Sequence, residues 1–146
     1  MAFFRVKQEN FMYRNIYLAA GLAAAAALAS CAKEPADLWA GPRQNLASVR
    51  SALQVYYGDQ EGAFPEKLDA LTKDGKYLQE IPKLKLPWHP ESAAILYVEA
   101  KAVDAKLITD AGGYIYFYSK KYPAMQGTLI INCAHEFKKG EPLYLY

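Results

Sequence analysis

Three observations predict an α+β fold, with one N-terminal amphipathic helix packed on a small C-terminal antiparallel sheet. Between Pro42 and about Gln60, Leu46, Val49, Leu53 and Tyr56 with Tyr57 recur every three or four residues, the period of one helix face. From Tyr114 onward, aromatic and β-branched runs are cut by Gly and Pro, the punctuation of short strands. The stretch between Cys31 and Tyr146 is the size of one small domain, with room for a single modest core.

Ahead of that domain stands a different kind of sequence. Ile16 to Ala29 is an unbroken run of Ile, Tyr, Leu, Ala and one Gly, preceded by Arg14, Arg5 and Lys7. A cationic start, a short apolar segment and small residues at its end make a secretory signal, and the run falls short of the roughly 18 apolar residues of a membrane span. Leu28-Ala29-Ser30-Cys31 resembles a bacterial lipobox, in which the Cys is diacylated and becomes the new N-terminus. The resemblance implies removal of residues 1–30, with Met12 as the start of a compact signal, and a lipid anchor on Cys31. Each buried methylene contributes about 0.8 kcal/mol, so two acyl chains hold where one would be marginal. Ala32 and Lys33 stand where an Asp would retain such a protein at an inner membrane, which favours the outer one. The competing outcome is ordinary cleavage after Ala29, leaving Ser30 and a free Cys31.

Composition narrows the partners. Of the 17 Lys and Arg and 15 Asp and Glu, three bases and one acid precede Cys31, leaving 14 of each. A neutral head without a basic stripe excludes nucleic acid. The chain has two cysteines, so an acylated Cys31 leaves Cys133 without a disulfide partner. An unacylated Cys31 would open a bridge to it in an oxidising compartment.

Residues 31–41, with Pro35 among small and charged neighbours, read as a tether a few nanometres long at most. Trp39 either lies at the headgroup level or caps the core. The helix of the globular domain, 42–146, starts at Pro42, shows Arg43, Gln44, Arg50, Ser51 and Gln54 on its polar face, and stops at Gly62. A second, shorter helix spans Pro65 to Lys73, with Leu68 and Leu71 inward and Asp74-Gly75 ending it. Pro82, Pro87 and Pro90 then preclude a long regular element around Trp88 and His89. Ser92 to Leu107 fits a strand or a helical turn. Tyr114–Tyr118, Thr128–Cys133 and Leu143–Tyr146 follow as strands of an antiparallel meander. Alternation predicts Ile115, Phe117, Leu129, Ile131, Cys133, Leu143 and Leu145 on the buried side, facing the helix.

The order of these motifs is similar to the head domain of type IV pilin-like proteins, type II secretion pseudopilins above all. Ala52-Leu53-Gln54-Val55-Tyr56-Tyr57, Gly62-Ala63-Phe64-Pro65, Gly75-Lys76-Tyr77-Leu78, Ile81-Pro82, Asp110-Ala111-Gly112-Gly113-Tyr114 and Gly127-Thr128-Leu129-Ile130-Ile131-Asn132 carry the likeness. The prepilin peptidase site and long apolar assembly helix of pilins are not matched. The resemblance therefore implies the head fold, with a lipid in place of the helix. It further implies a membrane-anchored envelope module that binds or assembles without catalysis, with secretion or pilus components as partners.

For chemistry, Cys133 and His135 lie two apart on a strand, where a nucleophile and base would share a face. No third group or oxyanion element accompanies them in sequence, so no catalytic residue is expected. With His89 and His135 the only histidines and no Cys pair at zinc spacing, no metal ligand and no cofactor is expected. Some pseudopilins hold calcium near the C-terminus, but Asp110, Glu136 and Glu141 do not form a ligand loop by spacing. Gly112-Gly113 lacks the Lys-Ser and helix of a phosphate loop. Tyr114, Tyr116, Tyr118, Tyr144 and Tyr146 share one parity, either as a partner-binding face or as the cover of a second sheet face. Exposed tyrosines would favour the binding module. Convergence of His89, His135 and an acid in one cleft would favour a periplasmic small-ligand binder or enzyme.

Overall fold

The computed structural model describes residues 38–146; the expected signal, lipobox, Cys31 and most of the tether lie outside the described residues. Helix α1, Ala40–Asp59, buries Pro42, Leu46, Val49, Ala52 and Leu53, the face that the three- and four-residue recurrence marks. Tyr56 is only half buried and Tyr57 is exposed. The helix ends as Gln60 N–H bonds Tyr56 O and Gly62, at φ 89°, turns the chain away. Arg50, placed on the polar face by sequence, is instead half buried. Its guanidinium donates twice to Leu129 O, at 3.0 and 2.7 Å, and once to Tyr146 O. Burial lowers its pKa from the usual arginine value, and its bonds tie the open edge of the sheet to the chain terminus.

The expected second helix is reduced to 3₁₀ turns at Leu68–Leu71 and Lys73–Gly75, with Leu68 and Leu71 fully buried as predicted. The proline-bearing stretch is pinned at its base by an antiparallel bridge between Leu84 and Ser92. The ambiguous segment resolves as strand β1, Ile95–Val98. It pairs in parallel with β2, Tyr114–Phe117, which pairs antiparallel with β3, Thr128–Ile131, in the order β1-β2-β3. The main sheet is thus mixed, because the connection from Val98 to Tyr114, with its 3₁₀ turn at Ala105–Leu107, is long enough to return the chain to the same end. A separate ribbon joins β4, Glu136–Lys138, to β5, Glu141–Pro142. The expected last strand is a 3₁₀ turn, Leu143–Leu145, with Leu143 buried and Leu145 66% exposed.

Register corrects the predicted faces. Tyr114 lies opposite Ile131 and Tyr116 opposite Leu129, and residues directly opposite point to the same side. Tyr114 and Tyr116 therefore join Leu129, Ile131 and Cys133 against Leu46, Val49 and Leu53 of α1, with Trp39 in the same cluster. Ile115, Phe117 and Ile130 form a second cluster on the far face, covered by Leu96, Val98, Val103, Ile108 and Tyr144 among others. Alternation along each strand was right. Its phase between β2 and β3 was not, because a sheet buried on both faces offers no polar side from which to set it.

The partner-binding tyrosine face is corrected with it. Tyr114 and Tyr116 are wholly buried, Tyr118 and Tyr144 half buried, and Tyr146 is 38% exposed. The two buried hydroxyls donate to loop carbonyls, Tyr114 to Pro82 O at 2.8 Å and Tyr116 to Pro65 O at 2.7 Å. Their bodies fill the core while their tips stitch the irregular 60–85 segment to the sheet.

Candidate metal centre

Three irregular segments meet beside the end of β3. In the first, Pro87 and Pro90 bracket a tight turn in which His89 N–H bonds Leu86 O at 3.2 Å, while Leu84 and Leu86 are buried beneath it. The second is the turn before β2. Asp110 takes a left-handed backbone, φ 55°, and Gly112 passes so close that a Cβ there would stand 3.1 Å from His89 Cβ. The third is the run Asn132 to His135 leaving β3. Asn132, 3% exposed, joins the last two. Its amide oxygen accepts from Thr109 N–H at 3.0 Å and its amide nitrogen donates to Thr109 Oγ1 at 2.7 Å. Backbone bonds from Gly112 N to Asn132 O and from Asn132 N to Gly113 O complete the seam.

These segments deliver His89, Asp110, Cys133 and His135 to one point. Their ligand-type atoms all lie within 4.8 Å of one another. His89 Nε2 is 3.2 Å from Cys133 Sγ and 3.3 Å from Asp110 Oδ1. His135 Nδ1 is 3.4 Å from Cys133 Sγ and 3.3 Å from Asp110 Oδ1. The thiol is fully buried and the His89 side chain is 8% exposed, whereas Asp110 and His135, at 39% and 36%, border solvent. Asp110 Oδ1 also accepts from Ala134 N–H at 2.8 Å. The His135 ring stacks on Trp88 at 4.4 Å, and Trp88 in turn meets Trp39 at 5.5 Å.

Burial pushes the Cys133 thiol up to about 11, with Asp110 adding to the rise. For Asp110, partial burial acts upward, but the Ala134 amide and the two histidines outweigh it and hold the carboxyl below its usual range.

This constellation is not a catalytic relay. A Cys-His-Asp relay needs the nucleophile on one ring nitrogen and the acid on the other. Here each histidine turns the same nitrogen toward both the thiol and the carboxylate. Burial also disfavours the thiolate that a nucleophile needs. Each nitrogen has a single lone pair or proton to divide between two partners, whereas an ion at the centre would engage all four groups.

The structure brings together His89, His135 and an acid, the convergence that on sequence grounds favours a periplasmic small-ligand binder or enzyme, and adds Cys133 as a fourth member outside that expectation. The only signals in the sequence were the Cys-x-His pair and the placement of the other histidine between prolines. The separations of 21 residues from His89 to Asp110 and 23 from Asp110 to Cys133 that complete the set match no local ligand motif. Glu136 and Glu141 are exposed on the β4–β5 ribbon and do not join Asp110 in the group. Two surface hollows, one along Gly140–Pro142 with Leu145 and Tyr146, the other beside Arg50, Gln54 and Gly127–Leu129, lie away from the histidines. No known protein family, curated protein or solved structure matches the chain.

Proposed function

We propose that this chain is a lipid-anchored protein of the bacterial envelope, with a pilin-like head that binds or assembles rather than catalyses. The observation that carries this reading is the aromatic end of the head. Leu38, Trp88, Leu145 and Tyr146 are 66%, 54%, 66% and 38% exposed. Trp88 and Tyr146 are the ends of a chain of rings in which Trp39 meets Trp88 at 5.5 Å and Phe137 at 5.9 Å, and Phe137 meets Tyr146 at 5.5 Å. Arg43 lies over Phe137 and Tyr146. Aromatic and aliphatic side chains beside a cation suit the interfacial zone of a bilayer. This end sits at the start of α1, only a short segment after Cys31. Acylation there would hold it at the membrane surface. Among the described residues no helix is long and apolar enough to span a membrane.

The convergence of His89, His135 and Asp110 is the observation that favours the second reading, a periplasmic small-ligand binder or enzyme. With Tyr114 and Tyr116 buried, secretion or pilus components remain partners implied by the pilin resemblance alone. Mass spectrometry of the mature N-terminus tests the anchor: a diacylglyceryl-modified Cys31 is expected, and Cys31→Ala is expected to move the head from the membrane fraction. A mature chain that keeps residues 1–30 and carries no acyl group would end this reading.

A further inference from the structure

We propose that His89, Asp110, Cys133 and His135 form a mononuclear site for a divalent, thiolate-accepting transition-metal ion of the zinc class, with the ion clamping the proline loop to the sheet. Bonds of about 2.0–2.3 Å meeting at the tetrahedral angle place neighbouring ligand atoms about 3.3–3.6 Å apart. Four separations within the group are 3.2, 3.3, 3.3 and 3.4 Å. These are four of the six edges of such a coordination sphere, and the remaining two are no longer than 4.8 Å.

The donor set selects the ion. Two imidazole nitrogens, one sulfur and one carboxylate oxygen suit zinc and its neighbours, whereas calcium and magnesium demand oxygen throughout. Charge selects it again. As the metal–sulfur bond forms, the Cys133 proton leaves to solvent. Thiolate and carboxylate then balance a divalent ion between two neutral histidines, so a half-buried site carries no net charge. Four protein ligands fill the four positions, which is the pattern of a structural rather than a catalytic centre. The bond from Ala134 N–H to Asp110 Oδ1 and the stacking of Trp88 on His135 fix two ligands from outside, as second-sphere contacts do at metal centres. Asp110 and His135, on the solvent side, mark the path of entry.

The inference is independent of lipidation. Its test uses the full, untagged chain in detergent with Cys31→Ala, so that Cys133 is the only thiol. After chelation, cobalt(II) is titrated in and then displaced with zinc. One equivalent is expected to bind, with the intense visible bands of four-coordinate cobalt and a thiolate-to-metal band in the near ultraviolet. Cys133→Ser should abolish the thiolate band. Asp110→Asn, at a partly exposed position, should keep that band and weaken binding at least about tenfold. The proposal is overturned by a lack of saturable binding, by a pale six-coordinate spectrum without the sulfur band, or by displacement of cobalt by calcium. If Cys133→Ser fails to fold by circular dichroism, Asp110→Asn decides: affinity equal to the parent chain would refute the assignment.

Discussion

The two halves of this head are held by different physics. Beneath α1, Leu46, Val49, Leu53, Leu68, Leu71, Leu129 and Ile131 are at most 2% exposed and interlock as one cluster. What that half needs is volume. The corner where residues 84–92, 109–113 and 132–135 meet has almost no regular structure. Leu84, Leu86 and Cys133 root it in the same cluster, while Asn132, the Asp110 carboxylate and a few backbone bonds set its geometry. What it needs is position. Burial is non-directional and scales with area, whereas a hydrogen-bonded corner fails once one partner is misplaced.

The sharpest way to break the comparison is to damage the core alone. Leu53→Ala, at a position 1% exposed, is expected to cost about 2–5 kcal/mol through lost transfer energy and the cavity left behind. Urea unfolding should show the same loss with zinc and with chelator present, since Leu53 lies outside the four-ligand group. A loss seen only under chelation would mean that the two halves are not separable.

A middle-sized effect comes from the seam between the halves. Gly113 has φ 72°, and a Cβ there would collide with the Ala94 carbonyl, which accepts the Tyr114 N–H that begins the β1–β2 pairing. Gly113→Ala should cost about 1–3 kcal/mol from backbone strain. It should also blunt any stabilisation by zinc, because Asn132 N–H bonds the Gly113 carbonyl one residue from Cys133. Equal zinc-induced shifts in melting temperature for the parent and the variant would show that the corner tolerates the displacement.

This division also accounts for what the sequence revealed. Helix α1 was legible because Leu46, Val49 and Leu53 repeat on one face against polar neighbours. Leu68 and Leu71 were legible as buried even though their helix shrank to a 3₁₀ turn. The strands β2 and β3 could be located, but not phased. Tyr114 and Ile115 are both 0% exposed, so alternation had no polar side to anchor it, and only pairing with Leu129 and Ile131 sets which residues face the helix. The metal corner was least legible. Its ligands come from three loops, and their approach depends on the parallel return of β2 alongside β1, a topology that local pattern does not encode. His89 and Cys133 are 44 residues apart, and nothing in either neighbourhood signals the other.

The smallest effect tests whether the buried tyrosines belong to the core or to its polar stitching. Tyr116→Phe keeps nearly all the buried ring but leaves the Pro65 carbonyl without the hydroxyl that reaches it at 2.7 Å. The expected cost is about 1–2 kcal/mol. Tyr146→Phe, at a residue 38% exposed, should be near neutral. Titration sharpens the contrast. Burial raises the pKa of both Tyr114 and Tyr116 above the ordinary 10.0, so the folded state keeps those protons while the unfolded chain loses them. Their contribution to stability is therefore complete below about pH 10 and falls as pH climbs above it. Absorbance of the phenolate should show these two hydroxyls ionising only with alkaline unfolding. Tyr116→Phe removes one of the groups whose proton the fold retains, so stability of that variant should fall less steeply with pH. Identical alkaline slopes for the variant and its parent would mean that the Tyr116 hydroxyl meets water in the folded protein and that the ring alone holds the 60–85 segment.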